Sequence, residues 1–341
     1  MHRRLVQAAL ILCAICSLGG CADVRNSMFD CSMALERRLS KLDLKTLQAG
    51  DLTFSYLERT GPGETIVLLH GFSADKDNWG RFIRHLPKEY RVIAIDLPGH
   101  GSTTRDTQTT YTIDFLCRGF ADAVQTLHLE RFHLAGNSMG GYVSALYSFH
   151  YPDKVLTLCL IDPAGATSPQ PSDLQIALEK GENPLVPATR DDFHTLMRYV
   201  FHDRPFIPWP ITRVLADRYI ERSAFNGKMW QDIHDHWEDI TRYLGGLKMP
   251  VLLIWGDKDR ILHVSSVSVY QRHIPHVQTV ILEDCGHAPM LELPKVTADK
   301  YIAFLKKPAQ ETAIPGQGGR VSREASRNAT RLHRLAGAAG K

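Results

Sequence analysis

The chain has 341 residues, of which 44% are apolar and 9% aromatic, a composition typical of a soluble globular protein with a substantial core. Its formal charge is +3, but residues 306–341 contain eight Lys or Arg and two Glu, so this tail carries +6 and the remaining chain −3. A slightly acidic body excludes the broad basic surface that nucleic-acid binding requires, and we expect no nucleic-acid partner.

The N-terminal segment, residues 1–21, has the order of a secretory signal. Two arginines precede an apolar run over residues 5–18, and small residues follow up to Cys21. The stretch "LGGC" resembles the lipobox of bacterial lipoproteins, which predicts cleavage before Cys21 and acylation of its thiol. Simple secretion and an uncleaved anchor remain alternatives. The anchor is allowed because residues 5–22 would form about 27 Å of helix, close to the thickness of a bilayer core of about 30 Å. All three interpretations place the body outside the cytosol. The lipoprotein and the uncleaved anchor both predict an envelope protein that is attached to the membrane through its N-terminus and faces the periplasm or the exterior.

Four cysteines follow Cys21, namely Cys31, Cys117, Cys159 and Cys285. Their spacings fit neither a zinc site nor a redox pair. Cys117 and Cys159 lie within apolar patterns and are predicted to be small core residues. An oxidising compartment would allow a disulfide, but the sequence does not define one.

From residue 52 onward, short β-branched apolar runs alternate with helix-like segments. A helix is predicted after the second run, because apolar residues recur every three or four positions from Ile113 to Leu127 and Thr112 can cap it. Such alternation predicts an α/β fold with a mostly parallel sheet flanked by helices, whose active site lies at the carboxyl ends of the strands. The predicted strands lie in "TIVLLHG" (65–71), "RVIAIDLPG" (91–99), "RFHLAGNS" (131–138), "VLTLCLIDP" (155–163), "PVLLIWGD" (250–257) and "VQTVILED" (277–284).

The alternation stops between residues 164 and 247. This segment lacks a clear strand and is rich in aromatic residues, so we interpret it as a helical cap, or lid, inserted into a core formed by residues 52–163 and 248–305. Residues 306–341 contain few large apolar side chains and are predicted to form a basic disordered tail.

Ser138 lies in the pattern G-x-S-x-G, between a strand-like run and a helix-like run. This setting is typical of a nucleophile elbow, in which a strained turn exposes the serine oxygen. Gly136 and Gly140 would allow the close backbone approach that such a turn needs. We therefore predict that Ser138 is a nucleophile rather than a structural turn residue.

A serine hydroxyl needs a base, and His287 is the strongest candidate among sixteen histidines. It follows the last strand-like run in a loop between Gly286 and Pro289, at the predicted carboxyl edge of the sheet. Most of the others have structural interpretations, because His2 lies in the N-terminal segment, His133 in a strand, and several more in the cap or in the preceding helix and its ends.

The imidazole in turn needs a buried carboxylate. "WGDKDRIL" after the penultimate strand offers Asp257 and Asp259. Asp257 lies in the tight turn, where it would bind turn amides, whereas Ile261 and Leu262 would fold the loop over Asp259. We predict Asp259 as the acid, which gives the chain order Ser, Asp, His.

Acyl transfer also needs donors for the developing oxyanion. The backbone amide of Met139 follows the nucleophile, and that of Phe72 lies in the loop after the first parallel strand. His70, in the same loop, is interpreted as a buried structural residue. No metal signature, dinucleotide fingerprint or P-loop is present, so no metal and no cofactor are expected.

The motifs together resemble the α/β-hydrolase family. "HGFSADKDNW", "DLPGHGST", "GNSMGG", "IDPAG", "WGDKDRIL" and "CGHAPMLE" occur in that family's order over residues 52–305. The first three are similar to the membrane-anchored monoacylglycerol lipase branch and its bacterial lipase relatives. The lipobox departs from anchored relatives whose membrane helix stays uncut. The resemblance implies Ser138, Asp259 and His287 as a triad, with Phe72 and Met139 as oxyanion donors.

The resemblance implies a serine carboxylic ester hydrolase that cleaves lipid esters such as acylglycerols through an acyl-enzyme. Its partners would be a lipid or small ester substrate and the membrane, while the oligomeric state stays open. One alternative is a hydrolase that cleaves carbon–carbon bonds of ring-fission products, since "GNSMGG" resembles that branch too, although an export signal argues against it. Another alternative is a non-catalytic ligand-binding protein of the same fold. Acyl-chain length and head group are not defined by the sequence.

Overall fold

The computed structural model describes residues 22–306. The predicted signal segment, the lipidation of Cys21 and the basic tail beyond Lys306 lie outside the described residues. Within them, an eight-stranded sheet has the order β1-β2-β4-β3-β5-β6-β7-β8. The strands are β1 (Asp43–Ala49), β2 (Leu52–Arg59), β3 (Thr65–Leu69), β4 (Arg91–Ile95), β5 (Phe132–Asn137), β6 (Val155–Ile161), β7 (Val251–Gly256) and β8 (Gln278–Leu282).

Six of these strands, β3 to β8, coincide with the six predicted apolar runs and pair in parallel. Their side chains alternate between two cores: Val67 and Leu69 face one layer of helices, and Ile66 and Leu68 face the other. A strand buried on both faces has to be apolar at nearly every position, which explains the continuous runs in the sequence. The mostly parallel α/β sheet with helices on both faces is therefore confirmed.

The sheet changes direction of growth at β3. The chain passes from β3 to β4 on one side and then to β5 on the other, so β3 lies between them. Open α/β sheets bind ligands in the crevice outside the carboxyl ends of strands at such a switch point. Here those ends lead into the loop at Gly71 and into the turn at Ser138.

Helices cover both faces of the sheet. Thr112 caps the predicted helix after β4, since its hydroxyl accepts the Phe115 amide hydrogen at 3.1 Å. The helices outside the segment 164–247 are α1 (Ala22–Leu39), α2 (Gly80–Ile83), α3 (Ile113–Thr126), α4 (Met139–His150), α10 (Val267–His273), α11 (Pro289–Glu292) and α12 (Pro294–Leu305).

Five helices and no strand lie between β6 and β7, as expected for an inserted helical segment. Ser172 caps the first of them, and Thr189 forms a capping box with Asp192 at the start of the second. They are α5 (Asp173–Glu179), α6 (Arg190–Val200), α7 (Trp209–Glu221), α8 (Ser223–Asp235) and α9 (Thr241–Leu244). We call residues 164–247 the inserted segment.

The sequence pattern did not predict α1 or the antiparallel pair β1–β2. Helix α1 packs against α7 through Phe29, whose ring lies 4.0 Å below the guanidinium of Arg218. At its other end, Arg37 binds both carboxylate oxygens of Asp77 at 2.7 Å. The helix thus connects the sheet region to the inserted segment.

The described cysteines are free: Cys31 is exposed, and Cys117, Cys159 and Cys285 are buried. This agrees with the predicted core positions of Cys117 and Cys159. No helix within residues 22–306 has the length and apolarity needed to span a bilayer.

We predict that Gly136→Ala destabilises the protein by about 1–3 kcal/mol. The added Cβ would lie 2.2 Å from the Gly140 carbonyl oxygen, and backbone cannot move as a flexible side chain can. Gly227→Ala, within α8, is the matched control. Its Cβ would lie 3.7 Å from the Val186 side chain, an ordinary contact distance, and alanine is favoured over glycine in a helix by up to about 1 kcal/mol. Chemical denaturation of both variants tests this, and an unchanged stability of Gly136→Ala would contradict the close approach.

Candidate active site

Ser138 lies on a strained turn between β5 and α4. Its backbone has φ 54° and ψ −121°, and a positive φ of this size is rare for residues other than glycine. The turn is held by hydrogen bonds from the Ser138 amide to the Ile161 carbonyl and from the Ala164 amide to the Ser138 carbonyl, both 3.0 Å long. A Cβ on Gly140 would lie 2.4 Å from carbonyl oxygens of β3 and its loop. The geometry is that of the predicted elbow.

His287 and Asp259 form a buried hydrogen-bonded pair. Nδ1 of His287 lies 2.7 Å from Oδ2 of Asp259, and the two residues are only 6% and 5% exposed. The other oxygen of Asp259 accepts the amide hydrogens of Ile261 and Leu262 at 2.8 and 2.9 Å. Nδ1 donates its hydrogen to this carboxylate, so in the neutral ring the lone pair is on Nε2.

Asn137 links the serine turn to the histidine loop. Its side-chain amide donates to the carbonyl oxygens of Ile161 and His287, both at 3.1 Å. Ser138 and His287 line the same cavity. Asp257, by contrast, accepts the amide hydrogen of Cys285 at 3.3 Å, in the loop that carries His287, rather than an amide of its own turn. The structure therefore brings Ser138 and His287 to one cavity, with Asp259 bound to His287, whereas Asp257 contacts neither side chain.

The two predicted oxyanion donors border the serine. Within the described residues, the Phe72 amide donates to no protein group, and Met139 begins α4, where amides have no intrahelical acceptor. His70 supports the loop that contains Phe72. Its Nε2 accepts the Leu97 amide hydrogen at 3.0 Å, so its Nδ1 carries the proton and donates to the Gly71 carbonyl oxygen. Burial lowers the pKa of His70 to about 4, which keeps the ring neutral.

The cavity over Ser138 has a volume of about 670 Å³, within the roughly 300–1,000 Å³ of ordinary ligand sites. Helix α1 contributes Phe29 and Met33 to its wall, a role that the sequence did not reveal. The inserted segment supplies most of the apolar wall, with Phe193, Leu196, Met197, Val200, Phe201, Ile207, Ile211 and Leu215.

Asp162 is a site residue that sequence reasoning missed. It follows β6 with φ 43°, is fully buried, and accepts the Gly256 amide hydrogen at 2.9 Å through Oδ1. Its Oδ2 has no partner of its own within the described residues. Burial and the neighbouring Asp259 charge raise the pKa of Asp162 well above its usual range. A protonated Asp162 has an O–H that can donate to Asp259. Its position at a strand end was the available signal.

Asp162, Asp259 and His287 also form the one group within residues 22–306 whose ligand atoms could hold a metal ion, all within 4.8 Å of one another. The 2.7 Å separation of His287 and Asp259 is, however, a hydrogen-bond distance. A proton shared between a ring nitrogen and a carboxylate occupies the lone pairs that a metal would need. We therefore describe the group as a hydrogen-bonded cluster.

We predict that Asp162→Asn stabilises the protein increasingly as pH rises. The native pKa of Asp162 exceeds the unfolded value of about 4, so its stability contribution is complete below pH 4 and is lost as pH rises towards the native pKa. Asparagine has no such loss and retains a donor for Asp259. Thermal unfolding from pH 5 to 8 tests this, with exposed Asp51→Asn as control. A pH-independent difference between Asp162→Asn and wild type would contradict a protonated Asp162.

Comparisons with known proteins agree with this fold. Residues 66–300 match a family model described as "Alpha/beta hydrolase family". The chain is 33% identical to human monoacylglycerol lipase ABHD6, over 79% of this chain and 84% of that protein, and 32% identical to Lipase 1 of Psychrobacter immobilis, over 89% and 96%. A crystal structure described as a membrane phospholipase A, a bacterial virulence factor, superposes with a TM-score of 0.82 at 39% identity and covers 89% of this chain and 98% of that one. The chain belongs to the alpha/beta hydrolase family.

Proposed function

We propose that the protein is a carboxylic ester hydrolase that acts on lipid esters, with Ser138 as its nucleophile. The relatives named as a monoacylglycerol lipase, a lipase and a phospholipase A support this class of reaction. One structural observation carries the proposal: His287, hydrogen-bonded to buried Asp259, lines the same cavity as a serine on a strained turn.

In the first half of the reaction, Ser138 Oγ attacks the ester carbonyl while Nε2 of His287 takes its proton. Asp259 fixes the ring tautomer and stabilises the imidazolium without being protonated itself. His287 then returns the proton to the leaving alcohol as the carbon–oxygen bond breaks. The product is an acyl-enzyme on Ser138.

In the second half, His287 removes a proton from water as the water oxygen attacks the acyl-enzyme. His287 then returns that proton to Ser138 Oγ as the acyl–serine bond breaks, which releases the fatty acid and restores the enzyme. Each attack places negative charge on the former carbonyl oxygen. The amides of Phe72 and Met139 donate to that oxygen, and fixed donors of this kind usually contribute the largest share of the rate enhancement.

The cavity supports an acyl substrate. Residues of α6 and the following loop form its apolar wall, where an alkyl chain leaves water at a gain of about 0.8 kcal/mol for each buried CH₂. In this proposal the inserted segment serves as the lid that shapes the acyl site, and residues 52–163 and 248–305 form the catalytic core.

The N-terminus attaches the protein to the cell envelope. A signal of the lipoprotein type in residues 1–21 supports this location, as does the description of a similar protein as a membrane phospholipase A. Acylation of Cys21 would leave the body facing the periplasm or the exterior, where lipid esters are abundant.

We predict that Ser138→Ala lowers hydrolysis of p-nitrophenyl esters at least about 1,000-fold, because the variant cannot form an acyl-enzyme. Wild-type activity should peak at medium or long chains within a series from two to sixteen carbons. Activity that survives in Ser138→Ala would contradict the assignment, and activity confined to the shortest esters would contradict a lipid substrate.

Asp257 and Asp259, two carboxylates two positions apart in the sequence but with different contacts, provide a matched pair of variants. Asp259→Asn should lower kcat roughly 10³–10⁴-fold, because the amide favours the wrong imidazole tautomer. Asp257→Asn should retain activity within about threefold, since Asp257 binds the Cys285 backbone amide and Lys258 rather than the imidazole, and asparagine keeps an oxygen that accepts from Cys285. Equal losses in the two variants would exclude a special role for Asp259.

We predict that a bacterial host labels the full-length chain with radioactive palmitate and retains it in the membrane fraction. Cys21→Ala should lose the label, because it lacks the acceptor thiol. Labelling that persists in Cys21→Ala would overturn the lipoprotein proposal, and an unlabelled wild type that stays in the membrane fraction would favour the uncleaved anchor.

A further inference from the structure

The wall of the catalytic cavity opposite α6 is polar. Asn226 of α8 donates from Nδ2 to Ser73 Oγ at 2.8 Å, and Ser73 directly follows Phe72. The same loop passes Ser138 closely, because a Cβ on Gly71 would lie 3.2 Å from the Ser138 Cβ. Polar groups therefore reach from the serine to the start of α8.

Arg222 extends this polar wall. The Asn226 amide donates to the Arg222 carbonyl at 2.8 Å, so the two residues lie one helical turn apart on one face, and both line the cavity. Among residues 22–306, the half-buried guanidinium makes one hydrogen bond, from Nη2 to the Gly101 carbonyl at 2.9 Å. Arginine has five N–H donors, so four remain for a ligand.

The charged groups around Arg222 are otherwise almost all paired. Arg37 binds Asp77 at 2.7 Å, Lys76 binds Asp96 at 2.8 Å, Arg218 binds Asp30 at 3.0 Å, and Glu36 binds Arg84. Within residues 22–306, Arg222 has no carboxylate at ion-pair distance, and neither has Arg81 at the cavity wall.

Asp75 is the one remaining carboxylate of the wall, and it does not balance these cations. Burial, followed by the charges of Asp77 and Asp96, raises the pKa of Asp75 to about 7, so the group is partly protonated at neutral pH. The cavity therefore carries an excess of positive charge beside its catalytic serine.

We propose that Arg222 binds the phosphate of a glycerophospholipid head group, which makes anionic phospholipids and lysophospholipids the preferred ester substrates. The fork of a guanidinium matches phosphate oxygens in two parallel hydrogen bonds. The apolar wall at α6 then receives the acyl chain, and the ester carbonyl lies between the two walls at Ser138. This inference rests on the proposed ester hydrolysis and adds its head-group specificity.

The experiment compares two soluble substrates with the same twelve-carbon acyl chain: 1-acylglycerol and 1-acylglycerol 3-phosphate, below their aggregation concentrations. In Arg222→Gln, the ratio of kcat/KM for the phosphate-bearing ester over the neutral ester should fall about tenfold. Arg222→Lys should recover part of the ratio, because it keeps the charge but not the fork. Arg242→Gln, on an exposed cap residue outside the cavity, should leave the ratio unchanged.

A second measurement uses the wild-type protein and so does not depend on the folding of a variant. Glycerol 3-phosphate should inhibit hydrolysis of the neutral ester competitively, and inorganic phosphate should inhibit more weakly. Equal inhibition by the two would overturn a head-group site in favour of a simple anion site.

An unchanged substrate ratio in Arg222→Gln, or equal losses on both substrates, would also overturn the proposal. A wild type that cleaves neither ester would instead contradict the proposed function. In that case calorimetric binding of glycerol 3-phosphate to wild type and Arg222→Gln still tests the site, because binding requires no turnover.

Discussion

The close approach of β3, β5 and α4 at Ser138 is the constraint on which the site depends. A left-handed backbone at a residue with a side chain costs on the order of 1–3 kcal/mol, and it persists only where the surroundings impose it. Here the Ser138 carbonyl accepts amide hydrogens from Tyr142 and Ala164, and glycines at 136 and 140 leave room for the backbone. These contacts hold the serine where it lines the cavity.

The sequence predicted this part of the molecule well because its signals are local. Strands buried on both faces must be continuously apolar, and an elbow must combine small residues with a serine within a few positions. The pair β1–β2 lacks such a signal: β1 is mostly exposed and polar, and buried β2 contains Glu58 and Arg59. Their charges are compensated by distant partners, with Arg91 binding Glu58 at 2.6 Å and the Arg59 guanidinium donating to carbonyls 24 to 28 residues away.

The same distinction applies within the site. Ser138, Asp259 and His287 each follow a predicted strand directly, so topology alone predicts that they meet at one edge of the sheet. Asp162 follows a strand as well, but its significance depends on a low-dielectric position beside Asp259, which is 97 residues further along the chain. The sequence gives even less indication of a role for Arg222, because its lack of a carboxylate partner is a property of the folded cavity rather than of its neighbours in sequence.

The two walls of the cavity have different origins, and this difference explains how one pocket can treat the two ends of an ester differently. The α6 wall is apolar because its residues belong to a hydrophobic core shared with strand residues such as Ile66 and Leu68, and Phe193 is almost fully buried. The polar wall lies where the start of α8 meets the loop after β3, and loop backbone and side-chain groups there need hydrogen-bond partners. Ser138 lies at the junction because the loop after β3 borders its turn. A substrate whose ester bond separates an alkyl chain from a polar head group matches that division. A uniformly apolar ester would instead desolvate the Arg222 guanidinium while leaving most of its N–H donors unpaired.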